Sequence, residues 1–359
     1  MDTPWTPDPD QLRNVWKQFR EREPKTRIRD AARALGVTEA QLVALGCGAG
    51  TTRLKPEWGT LMLGCEALGR VTAITRNDSV VHEKHGVYAN VEVSPMHILA
   101  VNEEIDLRLF PRAWAMAFAV RETQTDGPRM SLQVFDRHGV AIHKIYSTKS
   151  SDLAAFEALA SSLANDDQSP RQEVAPPAAA ERERPDWALD VEGFRAAWRA
   201  LKDTHDFFPL LRRFQVSRPQ ALRIAEADLA WPVEVASLRR VLTTVVESGL
   251  PIMVFVGNAG AIQIHTGPIH RVQDMGPWLN VLDEGFNLHA REGDVHDAWV
   301  VRKPTVDGVV TSLELFDRDG VAIAQLFGKR KPGIPELPAW TELMHTLPAR
   351  AGAALTAAV

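Results

Sequence analysis

The sequence predicts an α+β protein made by tandem duplication, each half a large, mainly antiparallel β-sheet flanked by helices. Three observations carry this expectation. MSLQVFDRHGVAIHKIY (130–146) aligns with TSLELFDRDGVAIAQLF (311–327) at a shift of 181 residues with 9 of 17 positions identical, where average composition gives about one. At the same shift VRETQTDG (120–127) falls on VRKPTVDG (301–308), Asn77 on Asn258, Gly86 on Gly267 and Leu107 on Leu288, a constant register that marks an internal repeat. Strand-like segments are also grouped between helical ones. Without regular strand–helix alternation, an antiparallel sheet is favoured over a doubly wound fold.

Each half opens on helices. QLRNVWKQFR and DAARALGV in the first, VEGFRAAWRALK and PLLRRFQV in the second, place apolar residues at three- and four-residue steps. Strands follow: PIMVFVGNAGAIQIHTG reads as strand, Gly-Asn turn, strand, and SLELFDRDGVAIAQLFG as a strand pair around Asp-Gly. LAAFEALASSL and PAWTELMHTL close the halves as short helices. NDDQSPRQEVAPPAAAERERPD (165–186) is polar, rich in Pro and Ala and without apolar period, the signature of a linker. The expected organisation is a first repeat at 1–164, the linker at 165–186 and a second repeat at 187–359.

Composition excludes several classes of function. A formal charge of −5 over 359 residues supplies no basic bulk that argues for nucleic acid as a partner. The two cysteines, Cys47 and Cys65, match no metal spacing and no Cys-x-x-Cys-His haem attachment, and point to a reducing compartment. The opening MDTPWTPDPDQLRNVWKQFR lacks the apolar core of a signal peptide, and no run approaches 18 apolar residues. The expected location is the cytoplasm. No P-loop, dinucleotide glycine motif, nucleophile elbow or HExxH occurs.

What remains is an uneven set of eleven histidines. His205 stands in LKDTHDFFPLLRRF, where Pro209 is tolerated only near a helix start. A helix beginning near Asp206 puts His205 at a junction, free to project into a cleft. Phe207 and Phe208 beside it suit a flat apolar ligand, and Arg212 and Arg213 suit its carboxylates. Haem combines those needs: an imidazole for iron, apolar contact for the ring, cations for the propionates. The plainer alternative is a helix-start histidine with Phe207, Leu210, Leu211 and Phe214 as core. His82 lies near a predicted turn and its repeat mate is Gln263, so the fold does not require the imidazole. His85, His97, His138 and His143 also have mates that are not histidine, and a surface position is expected for each of the five. Arg108 in EIDLRLF aligns with His289, a strand position cationic in both halves that faces either a ligand cleft or water. The runs Arg302-Lys303 and Lys329-Arg330-Lys331 bind carboxylates or phosphate, or form solvated loops.

These segments together resemble a known family. TRNDSVVHE, DLRLF, FDRHGVAIHKIY and SDLAAFEAL in the first half, and DTHDFFPLLRR, VSRPQAL, FVGNAGAIQIHTG, WLNV and RKPTVDGVVTSLELFDRDGVAIAQLFGKR in the second, look like the HemS/ChuS/PhuS/HmuS haemin-degrading or haem-trafficking (hemin transport) proteins over roughly residues 25–160 and 190–346. The resemblance implies haem b as ligand or substrate, with the iron held by the histidine of DxHxFF, here His205. It implies Arg108 on the opposite side of the haem, Arg330 as the basic residue of the YGxR ending, and Arg218 and Lys303 as propionate or pocket contacts. His82, in RNxxxVHE, matches a histidine implicated in a second haem site in some members. Where many members have Tyr before Gly-x-Arg this chain has Phe327, while Tyr146 keeps the phenol in the first half. One dominant haem site using His205 and Arg108 is expected, because Pro24 stands near His205's matching place and Gln263 at that of His82. Two functions stay open: a cytoplasmic carrier that takes haem from an inner-membrane ABC importer and passes it to a downstream acceptor or reductase, or a haem oxygenase-like enzyme that opens the ring and frees iron.

Overall fold

The computed structural model describes residues 8–125, 127–177, 183–331 and 333–350. The first half runs α1 (Pro9–Arg22), α2 (Ile28–Leu35), α3 (Glu39–Ala44), β1 (Thr51–Arg53), α4 (Trp58–Gly64), β2 (Gly69–Arg76), β3 (Val80–Val87), β4 (Val91–Val93), β5 (Ile98–Val101), β6 (Asp106–Leu109), β7 (Met116–Gln124), β8 (Gly127–Phe135), β9 (Ala141–Ser151) and α5 (Leu153–Ser162). The second runs α6 (Val191–Arg199), α7 (Phe207–Phe214), α8 (Arg218–Ile224), β10 (Ala230–Val233), α9 (Ser237–Ser248), β11 (Ile252–Gly257), β12 (Ala261–Gly267), β13 (Val272–Met275), β14 (Trp278–Leu282), β15 (Phe286–Arg291), β16 (Asp297–Thr305), β17 (Gly308–Phe316), β18 (Ala322–Gly328) and α10 (Pro338–His345). Element for element the two series match in order. β7 and β8 coincide with β16 and β17 at the shift of 181, bounds included.

Two antiparallel nine-stranded sheets result, in the orders β1-β7-β8-β9-β2-β3-β15-β14-β13 and β10-β16-β17-β18-β11-β12-β6-β5-β4. Under the repeat these are one order written twice. Each sheet takes six strands from one half of the sequence and three from the other, so the two halves of the tandem duplication exchange strands.

The chain divides into two compact units. Unit 1 holds Met1–Arg76, Glu83–Ala179 and Gly257–Gln263; unit 2 holds Asn77–His82, Ala180–Val256 and Ile264–Val359. Each therefore incorporates a hairpin tip from the opposite half. In unit 1 the Asn258 carboxamide oxygen accepts from the Gly260 and Ala261 N–H groups, and its nitrogen donates to the Ile142 carbonyl at 2.8 Å. In unit 2 Asn77 accepts from Ser79 and Val80 and donates to the Ile323 carbonyl, also at 2.8 Å. Both asparagines close a turn and anchor it with one side chain. The Asp-Gly loops repeat as closely. Asp136 and Asp317 each accept the N–H groups two and four residues on, and Gly139 and Gly320 take φ of 75° and 74°, a left-handed conformation natural to glycine.

The core of unit 1 packs Leu61, Met62, Cys65, Val71, Leu107, Leu132 and Phe156; unit 2 has one core around Val241, Val254, Leu313 and Trp340 and another around Phe194, Trp198, Phe207 and Leu222. The described ends of the expected linker segment make hydrogen bonds and an ion pair. On one side Arg53 donates to the Ser169 and Arg171 carbonyls, and Ala175 N–H donates to the Arg137 carbonyl. On the other, Arg223 pairs with Glu183 at 2.5 Å. Residues 178–182 of the expected linker, and the chain ends 1–7 and 351–359, lie outside the described residues. Among the described residues, no helix is long and apolar enough to cross a membrane.

Candidate functional site: an exposed imidazole on a buried ionic platform

His205 occupies the junction that Pro209 announced. Thr204–Asp206 form a single 3-10 turn, and α7 follows at once with Pro209 in its first turn, where a missing N–H costs no hydrogen bond. Asp203, extended at φ −144°, caps the turn: its Oδ1 accepts the His205 backbone N–H at 2.8 Å and lies 2.6 Å from His205 Nδ1. The His205 side chain is 92% exposed. Its bonds to His205 hold the Asp203 carboxyl below its usual range, helped by the field of Arg330. A carboxylate only accepts, so Nδ1 is the donor in this contact and Nε2 is the ring nitrogen left without a carboxylate partner.

The helix behind it is sharply two-faced. Phe207, Leu210 and Leu211 are buried, while Phe208 is 63% exposed and Arg212 and Arg213 point outward. The Arg212 guanidinium lies 6.0 Å from the Phe208 ring centroid. The expectation that both phenylalanines face a ligand is corrected: Phe207 is core, with its ring 4.6 Å from that of Trp198, because successive helix residues lie about 100° apart and only one of the two can face out. The Val306 N–H donates to the Lys202 carbonyl at 3.0 Å, which brings the exposed Val306 against the segment that leads into His205.

Beneath Phe207 lies a buried ionic cluster. Arg218 donates to Glu314 from Nε at 2.6 Å and from its terminal nitrogen at 2.7 Å; Lys303 Nζ donates at 2.9 Å and Ser312 Oγ at 3.0 Å. The two cations sit 5.2 and 4.8 Å from the Phe207 ring centroid. Glu314 is fully buried and Lys303 nearly so. Burial alone would push the Glu314 carboxyl up, but the Arg218 and Lys303 charges overcome it and hold it well below the usual range. Burial, with Arg218 adding to it, brings Lys303 down to about 8 against the attraction of Glu314. Lys303 and Arg218 thus both direct donors to Glu314 inside the protein. Arg330 is half-buried, 3.6 Å from Asp307, which also accepts the Gly333 N–H at 2.9 Å.

The other sequence candidates lie elsewhere. Arg108 is on β6 in unit 1, its side chain 35% exposed and bonded to Asp106. Its mate His289 on β15 sits 2.5 Å from the Asn280 amide oxygen. The surface position expected of His82 is corrected: it is fully buried in unit 2, its ring 4.9 Å from that of Phe286, which stacks at 3.9 Å on His265. His143 is corrected likewise. It is enclosed in unit 1 between Thr75 Oγ1 at 2.8 Å and Tyr88 OH at 2.6 Å, and burial lowers it to about 3. His97 is exposed, and His85 and His138 are partly so. Phe327 packs its ring 4.9 Å from Phe255, whereas Tyr146 lies 4.2 Å from the Arg129 guanidinium.

Sequence reasoning passed over two residues. Asp203 carried a signal, an N-cap acid two residues before a histidine. Glu314 carried none, for an acid within SLELF reads as a solvent-facing strand residue.

An exposed imidazole oriented by an acid is a suitable donor to a metal. Phe208 and Val306 offer apolar area, and Arg212, Arg213 and Arg330 offer positive charge, on the same unit. A flat, apolar, metal-bearing dianion fits this donor set.

Comparison with known proteins agrees. Residues 36–163 and 215–347 each match the family described as the haemin-degrading HemS.ChuX domain. The hemin transport protein HemS of Yersinia enterocolitica is 40% identical over 337 residues, covering 92% of this chain and 96% of HemS. Holo-PhuS, a heme-binding protein from Pseudomonas aeruginosa, superposes with a TM-score of 0.93 at 43% identity, covering 96% of this chain and 100% of PhuS. ChuS, described as an E. coli heme oxygenase, superposes with a TM-score of 0.82 at 36% identity, covering 90% of this chain and 97% of ChuS. With the domain present twice and HemS and PhuS matched nearly end to end, this chain belongs to the haemin-degrading HemS.ChuX family.

Proposed function

We propose that this protein binds haem in the cytoplasm and serves bacterial haem-iron uptake, taking haem from an inner-membrane ABC importer and delivering it to an acceptor or reductase. The observation that carries the reading is the His205 imidazole, almost wholly exposed yet held through Nδ1 by Asp203, so that Nε2 is available to iron. Phe208 and Val306 provide contact for the porphyrin. Arg330 provides charge for a propionate, as do Arg212 and Arg213. Arg218 and Lys303 support the site from below through Glu314 and Phe207. Arg108 is a further haem contact implied by the family resemblance. Bound haem would bring a ligand-accepting iron and a ring open to oxidation; the residues named here bind and orient it.

Ring opening is the second reading, favoured by the likeness to ChuS. Titration of the full chain with haemin tests the first: a sharp Soret band saturating at one haem per chain is expected, and no saturable band would overturn it. A second equivalent would bring His82 back as a haem site, which its burial in β3 argues against. Incubation with a reductant and catalase then separates carrier from enzyme. Intact haem is expected of a carrier, a linear tetrapyrrole with free iron of an enzyme.

A further inference from the structure

We infer that Asp203 is the positioning residue of the iron ligand: its carboxylate holds His205 in the Nδ1–H form, aims Nε2 outward and sets how strongly that nitrogen donates to bound iron. This rests on the reading of His205 as the ligand. A side chain 92% exposed has little packing to choose its rotamer, so whatever orients the ring must do so by hydrogen bonding. One oxygen supplies that bond. Asp203 Oδ1 accepts both the His205 main-chain N–H at 2.8 Å and lies 2.6 Å from Nδ1. The first contact fixes the acid to the backbone of the ligand itself, so the second keeps its length if the turn moves. A carboxylate on the far nitrogen raises the basicity of a ligating imidazole, and such partners typically govern about 10–100-fold in metal affinity. The pair occurs once: the repeat mates of Asp203 and His205 are Arg22 and Pro24. Asymmetry in a chain otherwise duplicated element for element is what a device serving one ligand site would leave.

The competing account is that Asp203 is a helix cap and nothing more. Asp203→Asn separates the two, because Asn caps as well as Asp while removing the charge; Asp203→Ser, also a good cap, gives a second neutral variant. On the full chain reconstituted with haemin, the inference expects both variants to lower the ferrous iron–histidine stretching frequency, raise the haem midpoint potential and speed haem loss by about 10-fold, with thermal unfolding of the haem-free protein unchanged. Wild-type frequency and potential in both variants would overturn it and leave Asp203 a cap. His205→Ala measured alongside keeps the two readings apart. If it abolishes the iron–histidine band while the Asp203 variants match wild type, only the role of Asp203 falls. If the band survives in His205→Ala, the ligand assignment itself is wrong and the inference falls with it.

Discussion

Glu314 receives both arms of the Arg218 guanidinium, at 2.6 and 2.7 Å, from a position on β17 with no exposure to water. The acid belongs to the sheet and the cation to the start of α8, and Phe207 of the His205 helix rests on the pair. Removing one partner of a buried ion pair leaves an uncompensated charge, at a cost of about 3–5 kcal/mol. Glu314→Gln should therefore lower the unfolding free energy by about that much in urea titrations, since both Arg218 and Lys303 lose their counter-charge. A loss below about 1 kcal/mol would mean that the cluster behaves as a surface pair.

His143 gives the fold an acid limit. Burial lowers its imidazole from 6.5 to about 3, against a backbone hydrogen bond at Ile74 that raises it, while Thr75 and Tyr88 enclose the ring. Between those values the unfolded chain binds a proton that the folded chain refuses, so stability falls as pH drops through that window and is unaffected above it. Glu314, whose folded value lies far below 4.5, adds to the decline at lower pH in any variant that retains it. His143→Gln should flatten the dependence between pH 6.5 and 4.5 relative to wild type. Parallel curves for the two proteins would contradict the assignment.

Arg330 lies 3.6 Å from Asp307, and the proposed function assigns it to a haem carboxylate. Arg330→Gln should weaken haem affinity about 10-fold, the scale of one charged hydrogen bond, with the Soret position retained. Equal affinity in competition titrations would restrict Arg330 to its pairing with Asp307.

Arg108 is expected to act on haem more than on folding. Its side chain is 35% exposed and its neighbour Asp106 is the paired carboxylate, so Arg108→Ala opens no cavity and should leave the unfolding midpoint within about 0.5 kcal/mol. A changed spectrum of bound haem at that stability supports the assignment. A large stability loss with an unchanged spectrum assigns Arg108 to structure.

The duplication and the order of elements were legible because a shift of 181 is maintained through strands whose patterns are strong and local. The exchange of strands was not, since which strands become neighbours depends on tertiary pairing; the clue, Asn77 matching Asn258, read only as a turn. The His205 junction was legible from Pro209, a steric rule that context rarely overrides. The burial of His82 and His143 was not: each has a mate of another type, Gln263 and Ala324, and each is sealed in by packing or partners remote in sequence. Glu314 was hidden for the same reason, its bidentate partner Arg218 lying 96 residues away.

The central claim is that the His205 imidazole ligates haem iron. The most direct measurement is a haemin titration of His205→Ala beside wild type, reading Soret position and dissociation constant together. The account expects a shifted Soret band and affinity lower by about 10-fold or more, with unfolding unchanged because the side chain is exposed. A variant with the wild-type spectrum and the wild-type dissociation constant would contradict it.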